Sequence, residues 1–250
     1  MRLPVLVAVL GCALVLAGTA GVRAAAQVKP DRLKTVLAQM DAGSVLFQSA
    51  QADLRQELFT KVVHDTEIQT GEIYFLRKAG SLPMGMKLLP PDAAPGTPPA
   101  QVMELKDGKA RMFNPGTNQV DEGSTTGKNQ ALTETFMTLG FGGSGTDLAK
   151  AWTIDDQGSE QLNDGKQIVK TEKLDLVSKD PGIRNMFSHV AIWIDPARDV
   201  SLKQIFYEAS GGTPTGDTRT VFYTDIRLNQ KVDAGPFAIN CKGKCTVVTH

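Results

Sequence analysis

Apolar and polar residues alternate with a period of two over much of the chain, most clearly in residues 185–229. There the segments HVAIWID, SLKQIFYE and TRTVFYTDIRLN are separated by residues 195–198 and by a glycine pair at 211–212. β-Branched and aromatic residues at this period are typical of strands with one buried face, and tight connections make neighbouring strands antiparallel. The alternating positions are Val190, Ile192 and Ile194 in the first strand and Phe222, Thr224, Ile226 and Leu228 in the third.

The same period predicts further strands upstream. The run SAQADLRQELFTKVV is a long first strand with one polar face, and residues 70–77 and 84–88 form a second and a third. Asp107-Gly108 is a strong two-residue hairpin signal between QVMELK and KARMFN, and a turn at residues 114–116 follows. Five prolines within residues 90–99 cannot donate to a strand ladder, so we expect a surface loop there. Beyond residue 152, two more strands flank a turn at residues 163–165.

Helical spacing of apolar residues is confined to three short stretches, residues 33–40, 132–139 and 148–152. We expect Asp31 to cap the first helix, the pair at residues 42–43 to end it, and Thr146 with Asp147 to cap the third. A strongly curved antiparallel sheet needs helices to cover its concave face, and helices this short cover it loosely, as a lid. The predicted fold class is therefore mainly β (α+β), in a single domain.

The first 26 residues have the pattern of a secretory signal peptide. Met1-Arg2 gives a positive start, an apolar run follows, and small residues end in an A-x-A cleavage site at Ala26. With the cut after Ala26, residues 27–250 form the mature domain, and we expect it to be exported. A membrane anchor and lipoprotein processing at Cys12 are the alternatives, but the apolar run is short for a spanning helix and continues past Cys12.

Charge and cysteine content narrow the classes of partner. Loss of Arg2 and Arg23 leaves 25 Lys and Arg against 27 Asp and Glu, so the mature chain has no electrostatic reason to bind nucleic acid. In an exported protein, Cys241 and Cys245 are expected to form a disulfide around Lys-Gly-Lys. A metal site would need these two cysteines, His250 and a fourth ligand that does not stand nearby, so no metal and no cofactor are predicted.

Two motifs suggest chemistry that their context does not favour. Residues 140–145 match G-x-G-x-x-G, but a helical stretch precedes them instead of the strand that a dinucleotide site requires. Ser144 lacks the second glycine of G-x-S-x-G, and a hydrolase would need Ser144 beside His64 or His189. We interpret the glycine run as a turn and predict that the protein is not an enzyme.

The remaining candidate site is apolar. Methionines are spread over strands and helices, and their soft, unbranched side chains suit a pocket for lipid chains as well as an ordinary core. The candidate lining residues are Met84, Met86, Leu88, Met112, Phe136, Leu139, Ile192, Ile194, Phe206 and Phe222.

Several motifs occur along the chain in the same order as in a known protein family. These are FQSAQADLRQ after the first helix, G-x-I-Y-F-x-R at residues 71–77, and the final sheet at residues 193–239. In KDGKARMFNPGTNQV, the matching positions are Asp107, Gly108, Pro115, Gln119 and Val120. With these motifs, residues 31–239 resemble the LolA-type periplasmic lipoprotein carriers and the related outer-membrane lipoprotein-sorting proteins.

The resemblance implies an incomplete antiparallel barrel with short helices as a lid over a hydrophobic cavity. It implies a monomeric carrier that holds the acyl chains of lipoproteins, or another lipid, between an inner-membrane ABC exporter and an outer-membrane receptor. One departure is that family members have an arginine on the third strand that holds the lid shut, whereas residues 83–84 here are Pro and Met. The alternative function is a periplasmic sensor or interaction module that regulates envelope stress without transporting lipid.

Overall fold

The computed structural model describes residues 31–78, 82–94, 96–126, 133 and 139–249. The predicted signal peptide, most of the predicted helix at 132–139 and the candidate residue Phe136 lie outside them. The helices are α1 (Arg32–Leu46), α2 (Gly145–Ala151) and α3 (Pro181–Arg184). The strands are β1 (Ser49–Thr60), β2 (Asp65–Leu76), β3 (Met84–Leu88), β4 (Gln101–Lys106), β5 (Lys109–Asn114), β6 (Gln119–Ser124), β7 (Trp152–Asn163), β8 (Ile168–Ser178), β9 (Phe187–Asp195), β10 (Val200–Ser210), β11 (Thr213–Leu228) and β12 (Thr246–Thr249).

The twelve strands of the described residues belong to one sheet in the order β12-β6-β5-β4-β3-β2-β1-β11-β10-β9-β8-β7. Neighbours are antiparallel except β12, which runs parallel to β6. Within the described residues β12 and β7 are the two ends of the sheet, so the barrel is incomplete. The predicted fold class, a mainly antiparallel sheet with short helices, is confirmed.

The inner face of the sheet carries the main hydrophobic core. Directly opposed residues share a face, and the register places Ala52 opposite Ile73, and Ile73 opposite Met86. On the other side of β1, the same face continues through Tyr223 of β11 to Ile192 of β9. Val36 and Met40 of α1 pack on this face and are almost fully buried.

Helix α1 extends further than the sequence predicted. The prediction that residues 42–43 end the helix is wrong, because α1 continues to Leu46. Gly43 serves close packing instead, since a Cβ atom there would lie 2.6 Å from Cβ of Asp199 in the β9–β10 turn. The predicted cap of α2 is also corrected, because Ser144 accepts a hydrogen bond from the Asp147 amide at 3.0 Å.

The outer face of β2–β6 is covered by the segment that follows β11. Phe237 is buried against Tyr74, with ring centroids 4.8 Å apart. Beyond it, Cys241 and Cys245 form the expected disulfide. The Asn118 side chain binds the backbone of the disulfide loop, which places β12 beside β6.

A β-bulge in β11 reverses which side chains face inward. Asp53 is opposite Thr224 and Gln51 is opposite Arg227, so β11 has one extra residue, and Asp225 there has a φ of 49°. The prediction that Phe222 shares a face with Ile226 and Leu228 is therefore wrong. The latter two pack on the inner core, whereas the Phe222 ring lies on the outer face, 5.3 Å from the ammonium nitrogen of Lys203.

We predict that Gly145→Ala destabilises the protein by about 1–3 kcal/mol, because the added methyl overpacks a helix contact. A Cβ atom at Gly145 would lie 2.2 Å from the carbonyl oxygen of Leu37 in α1. Gly123→Ala is the matched control, since no heavy atom lies within 4 Å of its added Cβ, and its effect should stay within about 0.5 kcal/mol. Urea unfolding measures both; similar values for the two variants would contradict the close packing of α1 and α2.

Candidate functional site

Residues 139–146, which we call the cover segment, lie on the inner face between the sheet and solvent. Phe141 forms an antiparallel bridge with Val200 at the start of β10. The Ser201 amide donates to the Gly140 carbonyl at 2.8 Å, and the Gly142 amide donates to the Asp199 carbonyl at 3.1 Å. The cover segment thus satisfies its backbone groups as a short added strand would.

Phe141 places its ring inside the core. Its ring stacks on Phe75 at a centroid distance of 4.7 Å and meets Tyr223 edge-on at 5.1 Å. Only 1% of Phe141 is exposed. Phe141 therefore occupies the inner face at the junction of β2, β10 and β11.

A buried polar chain fixes the start of the cover segment. The Gln204 amide donates to the Leu139 carbonyl at 2.9 Å, and its oxygen lies 3.3 Å from the hydroxyl of Tyr223. Burial raises the pKa of Tyr223, so its hydroxyl remains protonated and can donate to Gln204. Each group satisfies the other where water is excluded.

Arg77, one residue beyond β2, holds the middle of the cover segment. Its guanidinium donates to the Gly142 carbonyl at 2.7 Å and lies 5.5 Å from the ring centroid of Phe47. In the sequence comparison with LolA-type carriers, the place of the family's lid arginine matched residues 83–84, which are Pro and Met in this chain. The arginine that contacts the cover segment is Arg77, at the β2 end of the β2–β3 connection.

Ion pairs of Arg32, the first residue of helix α1, hold the start of the helix on the sheet. Arg32 contacts Glu172 of β8, and its guanidinium lies 3.2 Å from the Asp156 carboxylate of β7. Burial acts to raise the pKa of Glu172, but hydrogen bonds from Ser159 and Arg32 outweigh it and the pKa is lowered. Glu172 is therefore charged at neutral pH and anchors α1 to the inner face of the sheet.

The residues considered for hydrolysis are not assembled into a triad. The hydroxyl of Ser144 donates to the Asp147 carboxylate at 2.7 Å, which is a capping role. His64 lies in the β1–β2 turn with its ring 6.5 Å from that of Phe59, and His189 packs on Tyr207 at 3.9 Å. Among the described residues, neither histidine hydrogen-bonds to Ser144.

A row of methionines crosses the inner face on β3, β4 and β5. Met86 is opposite Met103, which is opposite Met112, and the row continues the line of Ile73 from β2. Met86 and Met103 are half-buried, and Met112 is 37% exposed. This methionine row is an accessible apolar surface next to the sealed core.

The structure places most predicted lining residues on one surface. Leu139 lies in the cover segment, Phe222 lies on the outer face, and Phe136 is outside the described residues. The remaining seven are on the inner face: Met84, Met86, Leu88, Met112, Ile192, Ile194 and Phe206. Ile192 and Ile194 are at most 2% exposed, so the methionines are the accessible members of this set.

Other features of the described residues do not suggest another kind of site. A depression of about 360 Å³ on the outer face has a polar rim that includes Asp53, Arg55 and Glu72, which does not suit an acyl chain. Within the described ranges, no three His, Cys, Asp or Glu side chains are grouped as a metal site would require. No helix in this part of the chain has the length and apolar character needed to span a membrane.

No protein-family model matches the sequence, and no curated protein matches it significantly. Solved structures do match. An uncharacterized conserved protein from Thermus thermophilus aligns at 13% sequence identity with a TM-score of 0.50, over 88% of this chain and 99% of that chain. A LolA superfamily protein from Nitrosomonas europaea aligns at 13% identity with a TM-score of 0.38, over 82% and 97% of the two chains.

The Pseudomonas aeruginosa MucA/MucB complex also matches, at 14% identity with a TM-score of 0.47, over 88% of this chain and 64% of that chain. At these identities the likeness concerns the fold alone. The described architecture and the sequence resemblance both indicate a LolA-like fold.

We predict that Gln204→Leu destabilises the protein by about 1–3 kcal/mol, because the Leu139 carbonyl and the Tyr223 hydroxyl are left buried without their partner. Gln69→Leu is the control: among the described residues its side chain hydrogen-bonds to Gln56 and Glu67, and it belongs to neither hydrophobic cluster. Its effect should stay within about 0.5 kcal/mol. Thermal unfolding compares them, and an equal loss in both variants would contradict the buried role of Gln204.

Proposed function

We propose that the protein is a periplasmic carrier that holds an acyl chain on the inner face of its sheet. The observation that supports this most directly is the methionine row of Met86, Met103 and Met112. The row is partly exposed, most of all at Met112, lies on three adjacent strands, and continues into a sealed apolar core. Methionine adapts to irregular apolar partners, which suits a surface that accepts chains of different length.

The energy of such binding comes from the removal of hydrocarbon from water. Each buried methylene contributes about 0.8 kcal/mol, so about ten methylenes contribute about 8 kcal/mol before the costs of association. No charged contact is needed at this surface. Selectivity would come from the length and shape of the apolar path.

The cover segment gives the carrier a closed form. Phe141 fills the inner face at the junction of β2 and β11. A guest that extends from the methionine row towards Ile192 would replace the Phe141 ring and break the Arg77–Gly142 hydrogen bond. In this proposal the cover segment occupies the binding surface in the absence of ligand and is displaced when an acyl chain binds.

The proposal includes the cellular setting expected from the sequence. Residues 1–26 would direct export, and residues 27–250 would act as one domain that transports lipoproteins or another lipid towards the outer membrane. An inner-membrane ABC exporter would load it and an outer-membrane receptor would unload it. We propose no catalytic role.

We expect Met86→Asp and Met112→Asp to weaken binding of a fluorescent long-chain fatty acid at least tenfold, because each places a carboxylate on the apolar path. Phe222→Asp is the control, since Phe222 is an apolar residue on the outer face, and it should bind as the wild type does. Met112 is the position where the substitution disturbs folding least, because it is already 37% exposed.

Native mass spectrometry of the exported wild-type chain, purified without detergent, should show a bound mass of lipid size that Met112→Asp lacks. A wild-type chain that neither retains lipid nor binds the fatty acid would overturn the carrier function. A stable protein complex without lipid would instead support the interaction module.

A further inference from the structure

Asp199 is a buried carboxyl group without a hydrogen-bond partner in the part of the chain that the structure describes. It lies in the β9–β10 turn with a φ of 54° and is 1% exposed. Among the described residues, neither of its carboxylate oxygens accepts or donates a hydrogen bond. A buried carboxylate that has lost both water and hydrogen-bond donors is costly, whereas the neutral acid is tolerated far better.

The adjacent charged groups of the turn are already paired with each other. Arg198 donates to Asp195 at 2.6 Å and lies 2.9 Å from the Asp164 carboxylate. The Asp195 carboxylate also accepts from the backbone amides of Ala197 and Arg198. These acids take Nε and Nη1 of Arg198, and its Nη2, which is buried, makes no hydrogen bond to Asp199 within the described residues.

Asp199 lies where α1 and the cover segment meet the sheet. The backbone of α1 contacts its side chain at Gly43, and its own carbonyl accepts from the Gly142 amide. The charged groups that face it are Arg77 at the end of β2 and Asp41 on α1.

Arg77 and Asp41 are both hydrogen-bonded to the cover segment. Arg77 donates to the Gly142 carbonyl, and Asp41 accepts from the Thr146 amide and hydroxyl at 2.8 and 2.9 Å. Residues 140–146 contribute no charged side chain of their own. A negative charge on Asp199 would therefore lie beside Asp41 and compete with the Gly142 carbonyl for Arg77.

We propose that Asp199 is a proton-sensitive catch for the cover: α1 and the cover segment are held on the sheet when Asp199 is neutral and are released when it is ionised. Release exposes the carboxylate to water and frees it to approach Arg77. The catch links proton concentration to the opening of the inner face. Its effect on a guest rests on the proposed carrier function, whereas the opening itself does not.

The raised pKa of Asp199 determines the direction of the pH dependence. Burial raises the pKa of Asp199 from 3.8 to about 7, with Arg77 opposing the rise and Asp41 adding to it. A raised pKa stabilises the closed form most at low pH, and this contribution declines as the pH rises towards 7 and is gone above it. The equilibrium constant for opening should increase about tenfold per pH unit between about 5 and 7, then level off.

Hydrogen exchange of the full mature chain without ligand tests the catch. Protection factors, which correct for the intrinsic rate at each pH, should fall between pH 5 and 8 for amides of α1 and residues 140–151, while those of β8 and β9 stay constant. Asp199→Asn mimics the neutral acid in shape and tolerates the same backbone conformation. In this variant, protection should be high and independent of pH.

Asp92→Asn is the matched control, because Asp92 has a similar φ of 55° but is exposed; it should behave as the wild type. Flat wild-type protection from pH 5 to 8, or an unchanged pH dependence in Asp199→Asn, would overturn the catch. Should Asp199→Asn fail to fold, carboxyl NMR titration of wild-type Asp199 decides: a pKa near 4 refutes the proposal and a pKa near 7 supports it. Because no lipid is present, these outcomes are independent of the carrier function.

Discussion

The structure depends on hydrogen bonds that satisfy the backbone of the cover segment where it lies on the apolar inner face of the sheet. The cover segment enters the core at Phe141, and a buried backbone amide or carbonyl without a partner would cost more than a single ring contact contributes. Val200 and its neighbours supply the backbone partners, and Gln204 and Arg77 supply side-chain donors at Leu139 and Gly142. These few hydrogen bonds determine where the cover lies and which part of the inner face remains accessible.

Much of the architecture was predictable because it follows from local patterns. The period-two alternation identified the strands of the last third, and the Asp107-Gly108 signal identified the β4–β5 hairpin. Helix α1 was predicted from its apolar spacing, although Gly43 was misinterpreted as a stop. Glycine at that position reflects contact with Asp199, a residue distant in sequence, and a local pattern cannot separate the two causes.

The site was less predictable because it depends on register and on long-range polar contacts. The alternation predicted around Phe222 holds as far as Thr224, but the bulge at Asp225 places Phe222 and Leu228 on opposite faces of the sheet. The methionine row requires knowledge of which residues oppose each other across three strands. Gln204 gave no signal in the sequence, and Arg77 stood there only as the last position of the motif at residues 71–77, because neither residue has a visible role until the cover segment lies against it.

The position of β1 in the sheet has a consequence for how the chain folds. Strands β2–β6 and strands β7–β11 are each built by pairing of neighbours in sequence, and the two groups are joined through β1 and β11. At this seam the Gln48 amide binds the side chain of Asn229, 181 residues away. Contacts of such high sequence separation form late and limit the folding rate. We therefore expect the β1–β11 pairing to form after the local pairings on either side of it, which would leave the edges of β1 and β11 open to pairing with other chains until then.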